Sequence, residues 1–76
     1  MDVIINGEKR QFAESIPLTA LVEQLGMQPE RLAIELNGDI VPRPLWPQTL
    51  LHDRDRLEIV HFVGGGTSSA HRISGF

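Results

Sequence analysis

Three consecutive glycines, Gly64 to Gly66, are the feature of this sequence that best fits a chemical role. They directly follow the most apolar segment of the chain. Because glycine has no β-carbon, an arm of this kind can enter a narrow channel in another protein, and three extended residues reach about 10 Å. An arm ending at Gly66 would present a carboxylate, which needs activation, for example by adenylation, before a group can be attached. The glycines are therefore predicted to act as an arm, with a plain linker as the alternative.

Residues that could act as catalysts or metal ligands are scattered through the sequence. The three histidines lack the spacing of a metal site, and no serine lies in a nucleophile elbow. The glycine run precedes no helix, so it is not a phosphate-binding loop. Asp53 and Asp55 are interpreted as turn residues and not as an acid–base pair. We therefore expect no catalytic residue and no metal site. The histidines are His52, His61 and His71.

Composition narrows the class of protein. With 76 residues and no cysteine, the chain fits one small domain without disulfides, a thiolate metal site or a cysteine nucleophile. A net charge of −3 without a lysine or arginine cluster disfavours a nucleic-acid binder. The charged amino terminus and the lack of an apolar run of roughly 20 residues predict neither a signal peptide nor a membrane span. We expect a cytoplasmic protein, which fits the absence of cysteine.

The amino-terminal part of the chain predicts a β-hairpin followed by a helix. Apolar residues alternate within residues 3–5, and the pair Asn6-Gly7 is typical of a two-residue hairpin turn, with a return strand over residues 8–12. Pro17 suits the start of a helix and Gly26 suits its end. Ser15 is a possible capping residue. The apolar side chains between them repeat at the spacing of one helix face. They are Leu18, Leu21, Val22 and Leu25.

The rest of the chain predicts three more strands and a tail. Strands are expected at residues 32–36, 40–41 and 57–63, with a turn at Asn37-Gly38 and Trp46 as a cover over one end of the core. The order β-β-α-β-β-β predicts an α+β domain of residues 1–63. One main helix packs on one face of a mixed sheet of four to five strands, with the first and last strands adjacent in its centre. Residues 64–76 are expected to form a flexible tail.

The sheet face that the helix leaves open is predicted to carry a docking surface. Val60 and Phe62 point to that face of the last strand, and Ile4 lies on the same face of the first strand. Exposed together, they would form an apolar patch beside the arm, of the kind that marks contacts with a partner. The alternative is that a loop covers them.

Three segments of the sequence resemble the ThiS family, the sulfur carrier proteins of thiamine biosynthesis, which have the ubiquitin-like β-grasp fold. The first is the helical segment LVEQL at residues 21–25. The most specific is LNGDIVPR at residues 36–43, with Trp46 three residues further on. The third is DRLEIVHFVGGG at residues 55–66. Their order and spacing cover nearly the whole of residues 1–66, and the related molybdopterin sulfur carriers resemble the chain less.

The resemblance implies a protein cosubstrate and not an enzyme. An E1-like adenylating enzyme would use ATP to activate the carboxylate of Gly66. A sulfur donor such as a cysteine desulfurase would convert it to a thiocarboxylate, and thiazole synthase would take the sulfur to form thiazole. Gly64 and Gly65 would be the arm, and Val60 and Phe62 would be contact positions. The chain itself would bind no cofactor.

The tail departs from the family, which usually stops at the glycines. While residues 67–76 are attached, Gly66 has a peptide carbonyl and no free carboxylate. We expect this segment to be artefactual or to be removed, as a zinc-dependent JAMM-type protease does in some related carriers. Some of those carriers serve cysteine or methionine synthesis, which is a second pathway that the tail would fit. The sequence also leaves open a ubiquitin-like modifier, joined to lysines through Gly66, and a pure binding module.

Overall fold

The computed structural model describes residues 1–62 in full and residues 70–72 as backbone. Its first five strands and its main helix follow one another in the predicted order, and two 3₁₀ helices and one strand at the end are added. They are β1 (Asp2–Ile5), β2 (Glu8–Gln11), α1 (Leu18–Leu25), the 3₁₀ helix Pro29–Arg31, β3 (Leu32–Leu36), β4 (Asp39–Ile40), the 3₁₀ helix Arg43–Gln48, β5 (Arg56–Phe62) and β6 (Ala70–Arg72). The prediction of an α+β domain with one main helix is confirmed. No helix among the described residues is long and apolar enough to cross a membrane.

The strands form one mixed sheet in the order β2-β1-β5-β3-β4. β1 and β5 are neighbours in its centre, as predicted, and the structure shows that they are parallel, whereas the other pairs on this path are antiparallel. β6 pairs with β5 in an antiparallel arrangement outside this path. A strand in this part of the chain is not predicted from the sequence.

The core lies between α1 and one face of the sheet. The strand residues that point to this face alternate with residues on the open face, as the pleat of a strand requires. Trp46 is 2% exposed and its indole Nε1 donates a hydrogen bond to the Val41 carbonyl over 2.8 Å, so its predicted packing against the core is confirmed. The buried apolar residues are Val3, Ile5, Leu18, Leu21, Val22, Leu32, Ile34, Trp46, Leu51, Leu57 and Ile59.

The prediction for the end of α1 is confirmed, whereas the capping residue suggested for its start is wrong. Gly26 has a φ of 70°, the left-handed conformation that ends a helix, as predicted. At the other end, the capping position is Pro17, and no side chain donates or accepts a capping hydrogen bond there. The possible capping role of Ser15 is wrong, because its hydroxyl donates to the Leu51 carbonyl instead. Ser15 therefore ties the start of the helix to the loop before β5.

Candidate functional site

Strand β5 is the base from which the chain runs toward the glycines. It pairs with β1 along one edge, where Ile5 is opposite Leu57, and with β3 along the other. Leu57 and Ile59 are fully buried against the core. The strand before the arm is thus held on both edges and on one face. Val63 and the predicted arm, Gly64 to Gly66, lie outside the described residues.

Two asparagine side chains hold the backbone of β5, one at each edge. On the β1 side, the Asn6 amide Nδ2 donates to the Ile59 carbonyl over 3.0 Å, and its Oδ1 accepts from the Ile59 N–H over 2.7 Å. On the β3 side, Asn37 Oδ1 accepts from the Arg56 N–H over 3.0 Å. Both asparagines open predicted Asn-Gly turns and have positive φ, 51° and 52°. The turns therefore do more than reverse the chain, since their side chains also pair with the central strand.

The turn before β5 is held by a carboxylate. Asp55 is 9% exposed, and its side chain accepts hydrogen bonds from the His52 N–H over 2.7 Å and from Asn37 Nδ2 over 3.0 Å. Asp53 Oδ1 accepts from the Asp2 N–H over 2.7 Å. These contacts confirm that the two aspartates are turn residues. Sequence reasoning missed that Asp55 also orients Asn37.

Histidines and acidic residues do not converge on one place within the described part of the chain. No group of three or more of them there could hold a metal ion. His52 lies in the turn before β5, while His61 lies on β5 itself, directly opposite His71 of β6. The structure thus brings two of the three histidines to facing register positions, which their separation in the sequence did not suggest.

The three predicted docking residues share the open face of the sheet but are not all close to one another. Phe62 is 43% exposed, and Val60 lies two residues before it on the same face of β5. Ile4 shares this face but lies opposite Arg56, which is four residues before Val60. At about 3.3 Å per residue, the separation along the strand is about 13 Å. Val60 and Phe62 therefore form a pair at the end of β5, and Ile4 lies apart from them.

A groove with a volume of about 700 Å³ lies on the helix layer, between α1 and the 3₁₀ helix Arg43–Gln48. Val22, Trp46 and Pro47 provide much of its apolar lining, and Glu23 and Arg43 are its charged residues. None of its lining residues comes from a strand. The groove is thus separate from β5 and from the residues that lead to the glycines.

A comparison with protein-family models matches residues 3–66 to the ThiS family. The chain belongs to the ThiS family. The match ends at the third glycine, so the extent of the family and the predicted attachment residue Gly66 coincide. Family membership confirms the prediction of a carrier protein that is not itself an enzyme.

Individual relatives agree with the family model. The chain is 30% identical over 66 residues to the protein named sulfur carrier protein ThiS of Escherichia coli, covering 87% of this chain and all of that one. The crystal structure of the thiamine biosynthesis protein ThiS from Geobacter metallireducens superposes with a TM-score of 0.76 at 35% identity, covering 87% of this chain and 100% of that one. The predicted β-grasp fold is therefore confirmed.

One relative extends the similarity into the tail. A thiazole synthase of Paramagnetospirillum magneticum is 43% identical over 70 residues, which is 92% of this chain and 22% of that protein. This chain thus spans about a fifth of the length of that relative. A match of 70 out of 76 residues must pass Gly66 and reach at least Ala70. ThiS-like sequence continued beyond the glycines therefore also occurs in a protein named for thiazole synthesis.

Proposed function

We propose that residues 1–66 act as a sulfur carrier that is adenylated and thiocarboxylated at Gly66 and gives its sulfur to thiazole formation in thiamine biosynthesis. The observation that carries this proposal is the family match over residues 3–66, which ends at the residue whose carboxylate would react. The name of the Paramagnetospirillum relative supports the thiazole pathway over cysteine or methionine synthesis.

The chemistry requires of this chain a carboxylate and a means of delivering it. An E1-like enzyme joins the Gly66 carboxylate to the AMP part of ATP and releases pyrophosphate. The outer sulfur of a persulfide on a donor such as a cysteine desulfurase attacks the acyl-adenylate and displaces AMP, which gives an acyl disulfide. A thiol of the partner proteins then cleaves the sulfur–sulfur bond, which leaves the thiocarboxylate on Gly66 and a disulfide on the donor side. Thiazole synthase then takes this sulfur. Because ATP is the activating reagent, we expect the reaction in the cytoplasm.

The open face of the sheet supports docking close to the arm. Val60 and Phe62 are the last two residues of β5 on this face before the chain leaves the strand, and Phe62 is 43% exposed. Gly66 is four residues beyond Phe62, a reach of about 14 Å in extended chain. A partner that holds the apolar pair therefore has to place its active site within that distance. Ile4 offers a separate contact over β1.

Substitution of Phe62 by alanine should weaken binding to the adenylating enzyme about tenfold or more, since interface anchors cost more than about 1.4 kcal/mol when truncated. Thermal stability should change little, because the ring is already half exposed. Leu45→Ala is the matched control, because Leu45 has the same 43% exposure but lies in the 3₁₀ helix on the other layer. Calorimetric titration with the adenylating enzyme measures the affinity of each variant, and thermal unfolding measures its stability. Equal affinities for the two variants would contradict the docking role.

Release of the tail is the step that makes the carboxylate available. Hydrolysis of the bond between Gly66 and Thr67, for which a JAMM-type zinc protease is the expected agent, would leave an arm of Gly64, Gly65 and Gly66. Intact mass analysis of the protein from its own cells should show a chain ending at Gly66, partly heavier by the difference between sulfur and oxygen. If every chain detected still contains residues 67–76, the result contradicts the proposal. Adducts with lysines of other proteins would instead indicate a modifier.

A further inference from the structure

We propose that the edge of β5 beyond Ile59 is a strand-addition site, and that Ala70–Arg72 of the chain's own tail occupies it until the tail is cut. The cutting step rests on the proposed function, whereas the occupation of the edge does not. The observation behind the proposal is the antiparallel pairing of β6 with the carboxyl-terminal half of β5.

Alternation of the backbone groups of β5 shows which residues face this edge. The carbonyls of Asp55 and Leu57 accept hydrogen bonds from Ile4 and Asn6 over 2.9 Å each, so odd-numbered residues face the β1 side. Ile59 follows the same rule, since both of its backbone groups bond to the Asn6 side chain. On the opposite edge, Arg56 bonds to Asn37 through both backbone groups. The next pair of groups on the β1 side therefore belongs to His61.

β1 ends at Ile5, and beyond it the Asn6 amide contacts this edge at Ile59. Further along β5, the N–H and C=O of His61 also face this edge. Backbone groups at an open sheet edge are a template on which another strand can pair. His71 lies directly opposite His61, which makes it the residue that exchanges hydrogen bonds with it. β6 thus continues along β5 the line of contacts that β1 and Asn6 begin.

The same pairing constrains the arm. Phe62 is opposite Ala70, so residues 63–69 connect two paired strands, and Gly66 is the middle residue of that segment in the sequence. Both ends of the segment that carries Gly66 are then held at β5, so Gly66 cannot be presented at the end of a single strand. The tail strand therefore keeps the uncut chain from delivering Gly66, in addition to blocking its carboxylate.

Cutting after Gly66 turns the pairing into an encounter between separate chains. The effective concentration that the short connection provides, in the millimolar range, is then lost. A strand of the length of β6 is too short to stay paired without it. The edge at His61 then opens to an extended segment of another chain, which main-chain hydrogen bonds would hold.

Amide hydrogen exchange measured by NMR tests the proposal through the His61 N–H. Four chains are compared: residues 1–76, residues 1–66, and the 76-residue variants His71→Pro and Ala70→Pro. Proline at 71 removes the donor that faces β5, whereas the N–H of residue 70 points away from it, where proline is tolerated. The His61 N–H should exchange about tenfold or more slowly in the full chain and in Ala70→Pro than in the other two chains.

The Ile59 N–H serves as the internal reference, because it donates to the Asn6 side chain and none of the four chains changes either residue. Equal exchange of the His61 N–H in residues 1–76 and 1–66 would overturn the proposal. The result is independent of the carrier function. If residues 1–66 are not adenylated but His61 exchange still depends on β6, the occupied edge stands and the carrier proposal fails. If residues 1–66 are adenylated but His61 exchange is the same with and without the tail, the carrier proposal stands and the occupied edge is wrong.

Discussion

A chain that ends at Gly66 should be adenylated by its E1-like partner, whereas the 76-residue chain should show only background activity. The reason is chemical: acyl-adenylate formation needs a carboxylate oxygen to attack ATP, and a Gly66 that is bonded to Thr67 has only an amide carbonyl. Exchange of labelled pyrophosphate into ATP measures this step directly, without the later transfer of sulfur. Equal exchange with both chains would place the reactive group elsewhere.

The length of the arm provides a sharper form of the same experiment. A chain that ends at Gly65 still has a carboxylate, but its reach from β5 is shorter by about 3.5 Å. Misplacement of a reacting group by about 1 Å can cost a hundredfold in rate, so we expect at least that loss. The described domain is the same in both chains, so binding through Val60 and Phe62 should not change. A loss of affinity instead of rate would argue that Gly66 is a contact and not the reacting residue.

Much of the fold was predictable because it depends on local signals. Asn6-Gly7 and Asn37-Gly38 adopt the positive φ values that their types favour, and Gly26 ends α1 in the left-handed region. Alternation and helical spacing then decided which residues face the core. Family resemblance added the β-grasp arrangement and pointed to Gly66.

Register and the tail strand were not predictable in the same way. The distance of Ile4 from Val60 follows from the pairing of Ile4 with Arg56, which is a long-range contact that periodicity in either strand leaves open. β6 is short and begins in a segment rich in small polar residues, where no apolar alternation marks a strand. Its formation depends on the free edge of β5, which is a property of the folded sheet.

Replacement of the two turn asparagines should produce the largest loss of stability among substitutions outside the apolar core. Asn6 pairs with both backbone groups of Ile59, and Asn37 pairs with Arg56 and with the buried Asp55. Removal of either amide leaves polar groups of the central strand without partners. We expect each asparagine-to-glycine change to lower the free energy of unfolding by about 1–3 kcal/mol.

Glycine is the informative replacement because it tolerates positive φ, so only the side-chain hydrogen bonds are lost. Alanine at the same positions should cost about 1 kcal/mol more, since a β-carbon disfavours the left-handed region. Comparison of the two series separates backbone strain from the amide contacts. Asn6→Asp is a further control, because its carboxylate can accept from the Ile59 N–H but cannot donate to the Ile59 carbonyl.

The two sites lie on opposite edges of β5, and their bonded residues Arg56 and Ile59 are about 10 Å apart along the strand. Substitutions at that separation usually add, so the double glycine variant should lose about 2–6 kcal/mol. A small domain has a stability of about 5 kcal/mol at the lower end of the usual range, so a loss at the upper end of the expected values should leave a large unfolded fraction at 25 °C. Urea denaturation measures each value. If both single variants unfold at the wild-type urea concentration, the two amides do not hold β5, and its position depends on core packing and on its main-chain pairing with β1 and β3.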